Sequence, residues 1–305
     1  MKPSVKMYKQ MAREKKDFSF FDRLHGLVYI KWPFLYIGAA VGELKWAAFV
    51  LSVLKKIFYR TDIAKREKGH PGGHSLADGY HGKVVRLDAA EQLVQIDKEI
   101  CLTNLETVIP YSTAKDIILK NPDHLAVLDC PCRSARTNPC LPLDVCIAVG
   151  EPFASLIVEH HPNRSRRITS EEAVAILREE EKRGHVHHAF FKDAMLGRFY
   201  AICNCCACCC GAMQANRHGI PMLAPSGYTA RIDIEKCDNC GQCRSICPFR
   251  AVRIVNKQIR IFQAKCMGCG LCASVCPNNA IELYPDTSKG EPLEIRNLMH
   301  IESSI

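Results

Sequence analysis

The pattern of apolar and polar positions predicts an apolar helical region over residues 1–60. Phe18–Tyr59 is strongly apolar and aromatic, but charged residues and a proline interrupt it: Lys31, Pro33, Glu43 and Lys45. The longest uninterrupted stretches, Trp32–Gly42 and Trp46–Leu54, are shorter than the roughly 20 apolar residues of a membrane-spanning helix. Proline also breaks a helix from within. We therefore expect short helices and no integral membrane segment.

Two interpretations of this apolar region are open. Its helices either pack on the protein's own core or on a partner subunit, or they lie on a membrane surface. Both tryptophans stand beside lysines, as in interfacial segments. The flanking cations suit an anionic membrane surface: Arg13, Lys15, Lys16, Lys55, Lys56 and Arg60.

Residues 61–125 are predicted to be a linker followed by a small β/α segment. Thr61–Gly82 is polar and rich in turn residues. Lys83–Asp88 and Gln92–Asp97 then predict a short hairpin, and a helix is expected near Ser112–Lys120. Three histidines lie among the linker glycines: His70, His74 and His81. They either bind a metal or are solvated loop residues.

A well-marked helix lies further along the chain. Thr169 is a candidate N-cap with Glu172 three residues later, the pattern of a capping box, and Gly184 is expected to end the helix. Its apolar face consists of Ala173, Val174, Ile176 and Leu177. The strand-like segments Leu125–Leu128 and Phe199–Ile202 lie on either side of it in sequence, and a group of cysteines follows each of them directly.

Cysteine is the anomaly in the composition. The chain of 305 residues holds 19 cysteines, and all but Cys101 fall in three groups, at residues 130–146, 203–210 and 237–276. The basic, polar start of the chain lacks the pattern of a secretory signal. We therefore expect a reducing, cytoplasmic environment, where clustered cysteines bind metal more often than they form disulfides.

The last cysteine group is an internal repeat. CDNCGQCRSICP begins at Cys237 and CMGCGLCASVCP at Cys266, so the pattern C-x2-C-x2-C-x3-C-P occurs twice with a constant offset of 29 residues. Short strands should flank each copy, at Ala230–Asp233, Val252–Val255, Gln258–Phe262 and Ile281–Leu283. We call residues 229–286 the C-terminal module; a tail, 287–305, follows it.

This repeat resembles bacterial ferredoxins with two [4Fe–4S] clusters, in which three cysteines of one run and the last cysteine of the other bind the same cluster. The resemblance implies that one cluster is bound by Cys237, Cys240, Cys243 and Cys276. It implies that the second is bound by Cys247, Cys266, Cys269 and Cys272. A pair of zinc sites is the alternative, although zinc usually has a longer spacer between two CxxC pairs.

Residues 126–228 are predicted to be a second iron–sulfur domain of mixed α/β structure. Its ten candidate metal ligands are Cys130, Cys132, Cys140, Cys146, Cys203, Cys205, Cys206, Cys208, Cys209 and Cys210. We expect one or two further [4Fe–4S] clusters here, bound first of all by Cys132, Cys140 and Cys146 with one or more of residues 203–210. A structural zinc site is the alternative. Of the strand histidines His185, His187 and His188, the last two either tune a nearby cluster or are structural.

Residues 127–283 resemble a largely uncharacterised family of anaerobe iron–sulfur proteins that join CxCR…C…C and CNCCxCCC segments to such a ferredoxin domain. The resemblance implies redox function and gives no substrate. Cys209-Cys210-Gly211 is also similar to the CCG motif of heterodisulfide reductases, although the other spacings of that motif are absent. A catalytic cluster in the middle domain is therefore an alternative.

The expected fold class is α+β, and the expected function is electron transfer between redox partner proteins. The formal charge of +9 does not indicate nucleic-acid binding, because each [4Fe–4S] cluster with its thiolates adds a charge of about −2 and no nucleic-acid motif is present. A catalytic reductase and a redox sensor are the other hypotheses. The protein is expected to be cytoplasmic, either free or bound at the inner face of the membrane.

Overall fold

The computed structural model describes residues 1–15, 18–42, 79–103, 105, 107–110 and 116–302. The predicted apolar stretch at 46–54 and the linker histidines His70 and His74 lie outside the described residues. The architecture of the rest is mixed α/β.

A large sheet forms the centre of the molecule. Its strands are β1 (Tyr80–Val85), β2 (Ile100–Leu102), β3 (Ile117–Asp129), β4 (Asp144–Glu151), β5 (Ser165–Ile168), β6 (Val186–Lys192), β7 (Arg198–Cys205) and β8 (Leu223–Ala224). The order is β2-β3-β4-β7-β6-β1-β8, and β5 pairs with β3. Neighbouring strands are antiparallel, except that β1 and β8 are parallel. The sheet thus takes strands from both the 61–125 and the 126–228 segments.

Helices cover both faces of the sheet. They are α1 (Pro3–Glu14), α2 (Phe20–Lys31), α3 (Pro33–Ala40), α4 (Leu87–Val94), α5 (Pro131–Ser134), α6 (Phe153–His160), α7 (Ser170–Lys182) and α8 (Gly211–Arg217). On one face, Leu93 of α4 and Leu177 of α7 pack with Phe191 of the sheet. On the other, residues of α1, α2 and α6 pack around Phe190 and Tyr200. Each face therefore has its own apolar core.

Two predicted elements are wrong. The expected hairpin at 83–97 is instead the end of β1 followed by α4, where Ala89, Ala90, Leu93 and Val94 are buried at helical spacing. The expected helix near 112–120 is also wrong, because β3 begins at Ile117 and its side chains alternate between buried and less buried positions. The predicted linker ends earlier than expected, since β1 already begins at Tyr80.

The predicted capped helix is confirmed as α7. The Thr169 hydroxyl accepts a hydrogen bond from the Glu172 backbone N–H at 3.2 Å, and Gly184 follows the helix with a φ of +77°. The Glu172 carboxylate instead forms an ion pair with Arg166 at 2.5 Å. Only the Thr169 half of the predicted capping box therefore forms.

The described N-terminal helices pack on the protein itself. Gly26 of α2 lies against Tyr8 and the Ala194 carbonyl, and a Cβ atom at this position would lie 1.9 Å from the Tyr8 hydroxyl. Phe20 and Phe21 on the outer side of α2 are exposed. Over the described part of the chain, no helix combines the length and the apolar character needed to cross a membrane.

The C-terminal module consists of two small antiparallel pairs and two short helices. The strands are β9 (Tyr228–Ile232) with β12 (Ile281–Pro285), and β10 (Val252–Val255) with β11 (Gln258–Ile261). All four predicted strands are thus confirmed within a few residues. The helices are α9 (Gln242–Ile246) and α10 (Leu271–Ser274), and α11 (Ile295–Glu302) follows in the tail.

The module packs against the main sheet near β1 and β6. Leu271 of α10 is buried with Val84 and Val186. Gly184 lies against Ile246 of α9, so close that a Cβ atom would be 2.9 Å from the isoleucine Cγ1. This junction places one end of the module beside the main sheet.

Candidate metal centres

Two cysteine-lined cavities lie inside the C-terminal module. The first is lined by Cys237, Cys240, Cys243 and Cys276. The second is lined by Cys247, Cys266, Cys269 and Cys272. Each cavity thus receives three cysteines from one copy of the repeat and the last cysteine from the other copy. This grouping is the same as the ligand sets that the ferredoxin resemblance implies.

Backbone geometry around these cavities suits anionic sulfur. Gly241 and Gly270 precede α9 and α10 with φ values of +82° and +91°, a conformation that glycine adopts without steric cost. The Ala251 amide donates to Cys247 Sγ at 3.4 Å, and the Ala280 amide donates to Cys276 Sγ at 3.2 Å. Such amide-to-sulfur bonds are among the features that set cluster potentials.

Burial disfavours the bare thiolates in this module. Burial raises the pKa of Cys272 to about 12 and also raises the pKa of Cys269 and Cys243. Binding to a metal removes the thiol proton and supplies the countercharge. The buried sulfurs therefore fit a bound cationic centre better than free thiolates.

A larger cavity in the middle of the molecule has a volume of about 300 Å³ and is lined by seven more cysteines. We call it the thiol cavity; besides Cys206, which is also part of a second thiol group, its cysteines are Cys130, Cys132, Cys146, Cys203, Cys205 and Cys210. Cys146 on β4 is paired in register with Cys203 on β7. The two cysteine groups separated by α7 in sequence thus meet through the sheet.

The thiols of this cavity are linked to one another. Cys146 hydrogen-bonds with Cys130 and Cys203, and Cys132 hydrogen-bonds with Cys130 and Cys210. Cys205 hydrogen-bonds with Cys210. The six sulfurs thus form a continuous series, more than the four that a single [4Fe–4S] cluster requires.

Four middle cysteines form a second set, the outer thiol group: Cys140, Cys206, Cys208 and Cys209. Cys140 lies with this group and not with the cavity residues Cys132 and Cys146, so the ligand combination expected first for the middle domain is not brought together. Cys206 touches both sites, since it also lines the thiol cavity.

The thiol cavity is also lined by tyrosines and a lysine. The hydroxyls of Tyr29 and Tyr200 are 3.0 Å apart. The Lys192 Nζ lies 4.6 Å from the ring centroid of Tyr29 and 4.7 Å from that of Tyr80. Burial lowers the pKa of Lys192 to about 8. Because these residues come from four different elements, α2, β1, β6 and β7, no sequence motif pointed to them.

A buried ion-pair network connects the cysteine segments to α7. Arg133, next to Cys132, forms an ion pair with Glu180 of α7, and both side chains are almost fully buried. Arg133 Nη2 also donates to the Asn204 carbonyl at 3.0 Å, and His185 Nδ1 lies 2.7 Å from Glu180 Oε2. The network ties α5 and β7, which carry cavity cysteines, to α7.

The other strand histidines that the sequence analysis singled out, His187 and His188, are buried. His187 Nδ1 is paired with Asn204 Oδ1 at 2.6 Å, and His188 Nδ1 with the Val186 carbonyl at 3.2 Å. Burial lowers the pKa of His187 to about 4 and that of His188 to about 3. Neither residue lines the thiol cavity. His81 is buried on β1, with its ring stacked on Phe191.

Comparison with known proteins identifies the C-terminal module. The family model described as "4Fe-4S dicluster domain" matches residues 230–283, which confirms the two-cluster ferredoxin-type module expected at 229–286. No curated protein matches the chain. Residues 230–283 are thus a 4Fe–4S dicluster domain, and the cysteine-rich middle region is compatible with additional metal.

Proposed function

We propose that this protein relays electrons between redox partner proteins through two [4Fe–4S] clusters in its C-terminal module and a third in the thiol cavity. The observation that carries the proposal is the pair of four-cysteine cavities inside the matched dicluster domain. A bound [4Fe–4S] cluster supplies reversible one-electron chemistry. The protein supplies thiolates, amide donors to sulfur and an apolar surrounding that excludes water.

The packing supports a route from the module into the middle domain. Cys269 of the second module cavity is packed against the buried Val84 and Val186 of the main sheet. Met267 and Phe249 line the same module cavity, and they also pack against the core that contains Cys205 and Cys210. The second module site is therefore the one that contacts the core around the thiol cavity.

The thiol cavity suits a third cluster for two reasons. Its six hydrogen-bonded sulfurs exceed the four ligands needed, and the cavity that they line is otherwise mostly apolar. An apolar surrounding and hydrogen bonds to sulfur are the protein's means of setting a cluster potential. The Arg133–Glu180 ion pair fixes the neighbouring backbone, so the thiols are held in place before a cluster binds.

Metal and sulfide analysis of the full chain purified without air tests this proposal. Two module clusters contribute about eight irons and a third raises the total to about twelve, with matching acid-labile sulfide. An EPR redox titration should then resolve separate reduced clusters. A folded, colourless protein without labile sulfide would contradict the proposal.

Paired substitutions test the ligand sets within the module. Cys276→Ser should lose about four irons. Adding Cys237→Ser should remove no more, because both residues line the same cavity. Adding Cys272→Ser instead should remove about four more, since Cys272 lines the other cavity. The exposed Cys101 supplies the control Cys101→Ser, which should keep all the iron.

A second candidate is a reductase whose catalytic centre is the thiol cavity. The observation that favours it is the presence of Lys192, Tyr29 and Tyr200 in the lining of the same cavity as the cysteines. An ammonium and phenol hydroxyls are proton donors, and a reduction requires protons beside its source of electrons. In this function a substrate occupies the thiol cavity.

The two candidates differ in their response to added thiols or disulfides. An electron-relay cluster keeps its EPR signal when a small thiol or disulfide is added to the full protein. A catalytic cluster shifts its signal, and the shift should change in Lys192→Met. If the EPR signal is unchanged by thiols and disulfides in both the wild type and Lys192→Met, the thiol cavity does not reduce disulfides.

A further inference from the structure

The outer thiol group is built from the two cysteine segments at the end of the main sheet. Cys140 lies in the loop between α5 and β4, and Cys206, Cys208 and Cys209 lie between β7 and α8. All four Sγ atoms lie within 4.8 Å of one another. The Sγ atoms of Cys140 and Cys208 are 2.9 Å apart, and those of Cys208 and Cys209 are 3.6 Å apart.

This spacing fits a single ion rather than a cluster. A tetrahedral zinc ion with Zn–S bonds of about 2.3 Å holds its thiolates about 3.8 Å apart. A [4Fe–4S] cluster places four irons and four sulfides between its thiolates, which therefore stand farther apart. The module shows this contrast, because in neither of its two cysteine sets do all the Sγ atoms lie within 4.8 Å of one another. Among the described residues, the outer thiol group is the one set of cysteines with such close sulfurs.

We infer that Cys140, Cys206, Cys208 and Cys209 bind one zinc ion in a closed tetrahedral site. Four cysteine thiolates with no open position are the ligand set of structural zinc. Zinc also binds such ligands more tightly than ferrous iron does. Binding replaces the thiol protons, which leave to solvent through the exposed side of Cys208.

The position of the ion gives it a structural role toward the thiol cavity. Cys206, Cys208 and Cys209 lie between the cavity thiols Cys205 and Cys210 in sequence. Cys140 likewise lies between the cavity thiols of residues 132 and 146. The ion therefore joins the two segments that carry the cavity thiols.

Neighbouring hydrogen bonds hold the same backbone. Arg136 Nη2 donates to the Cys209 carbonyl at 3.2 Å, and Gln214 Nε2 donates to the Cys208 carbonyl at 2.8 Å. These contacts fix the turn between β7 and α8 from both sides. The four sulfurs of the outer thiol group converge beside this turn. The six cysteines of residues 203–210 are therefore divided between two different sites.

The test is elemental analysis and zinc X-ray absorption on the full chain purified without air. We expect about one zinc per chain, with four sulfur neighbours at about 2.3 Å. Cys140→Ser combined with Cys208→Ser should reduce zinc to near zero and leave iron unchanged. Cys101→Ser is the matched control, because Cys101 is exposed and lies in neither cysteine group; it should keep both metals.

Several results would overturn the inference. These are a zinc content near zero in the wild type, nitrogen or oxygen neighbours around the zinc, or a loss of about four irons from the double variant with zinc unchanged. If the double variant does not fold, the wild-type absorption spectrum still decides. Zinc bound in this way to a protein without module iron would contradict the proposed electron relay and leave this inference intact.

Discussion

The C-terminal module and the main sheet are stabilised in different ways. In the module, Cys243, Cys266 and Cys272 are themselves part of the small buried core. The core between α4, α7 and the sheet contains no cysteine among its described residues and is built from aliphatic and aromatic side chains such as Leu93, Leu177 and Phe191. A small domain without a sufficient apolar core depends on metal or disulfides for stability. The module is therefore expected to need its clusters in order to fold, and the main sheet is not.

Removal of iron gives the largest expected contrast between the two regions. Treating the reduced protein with an iron chelator without air should abolish hydrogen-exchange protection in β9–β12, because their core loses its metal. Protection in β3, β4, β6 and β7 should persist. Hydrogen exchange followed by mass spectrometry reads both regions in one sample. Equal loss of protection in both would show that the sheet also depends on metal.

The next largest effect is expected at the ion pair behind the thiol cavity. Arg133→Met leaves the Glu180 carboxylate buried without its main partner, which costs about 3–5 kcal/mol. The loss should appear as a lower free energy of unfolding for the main sheet, measured by denaturation without air. Adding Glu180→Gln should recover part of that loss because it removes the unpaired charge.

A matched control for this experiment lies on α7, the helix that carries Glu180. Arg178 forms an exposed ion pair with Glu91 at 2.6 Å, and exposed pairs contribute about 0–1 kcal/mol. Arg178→Met should therefore change the free energy of unfolding little. Similar losses in Arg133→Met and Arg178→Met would show that the buried network does not stabilise the cavity segments.

The contrast between the regions also explains what the sequence could predict. In the module, a repeat with a fixed offset of 29 residues and its resemblance to two-cluster ferredoxins predicted the dicluster domain, since ligand spacing along one loop determines how the loop wraps a cluster. In the middle domain, the sites depend on strand register and packing. The pairing of Cys146 with Cys203 across β4 and β7 has no counterpart in local spacing.

The two wrong elements have a similar cause. The segment at 92–97 contains β-branched and apolar residues that suit a strand, but burial of Leu93 and Val94 beside α7 favours a helix. At 117–120, pairing of β3 with β2 and β4 outweighs the local helix preference. Tertiary packing routinely overrides such local preferences. Lys192 was missed because its role depends on tyrosines far away in sequence.

A smaller effect is expected from the pH dependence of stability in the main sheet. Burial lowers the pKa of Lys192 and of Lys83 to about 8 each, from 10.5. Between about pH 8 and 10.5 these two lysines bind more protons in the unfolded chain than in the folded one, so their contribution to stability rises with pH. From pH 7 to 9.5 each lysine should add about 2 kcal/mol.

Thermal midpoints at a fixed scan rate measure this rise. Lys192→Met and Lys83→Met should each make the rise smaller than in the wild type, by a similar amount. The pH range ends at 9.5 because burial raises the pKa of Tyr29 and Tyr200, whose ionisation at higher pH opposes the trend. An unchanged rise in Lys192→Met would mean that this lysine is not buried as an ammonium in the folded protein.

The smallest expected effect concerns the junction between the two regions. Gly184 follows α7 with a φ of +77°, and an alanine there costs about 1–2 kcal/mol from backbone conformation alone. Its Cβ would also lie 2.9 Å from Ile246 Cγ1 in α9. Gly184→Ala should therefore strain both the end of α7 and the contact between the main sheet and the module.

Gly219 is the matched control for this variant. It has a φ of +84° with no neighbour near a Cβ, so Gly219→Ala reports the backbone cost alone. If Gly184→Ala destabilises more than Gly219→Ala, and Ile246→Ala in the same chain removes the difference, then the excess comes from the junction. Equal costs in the two alanine variants would mean that α9 moves freely against α7 and that the two regions are only loosely coupled.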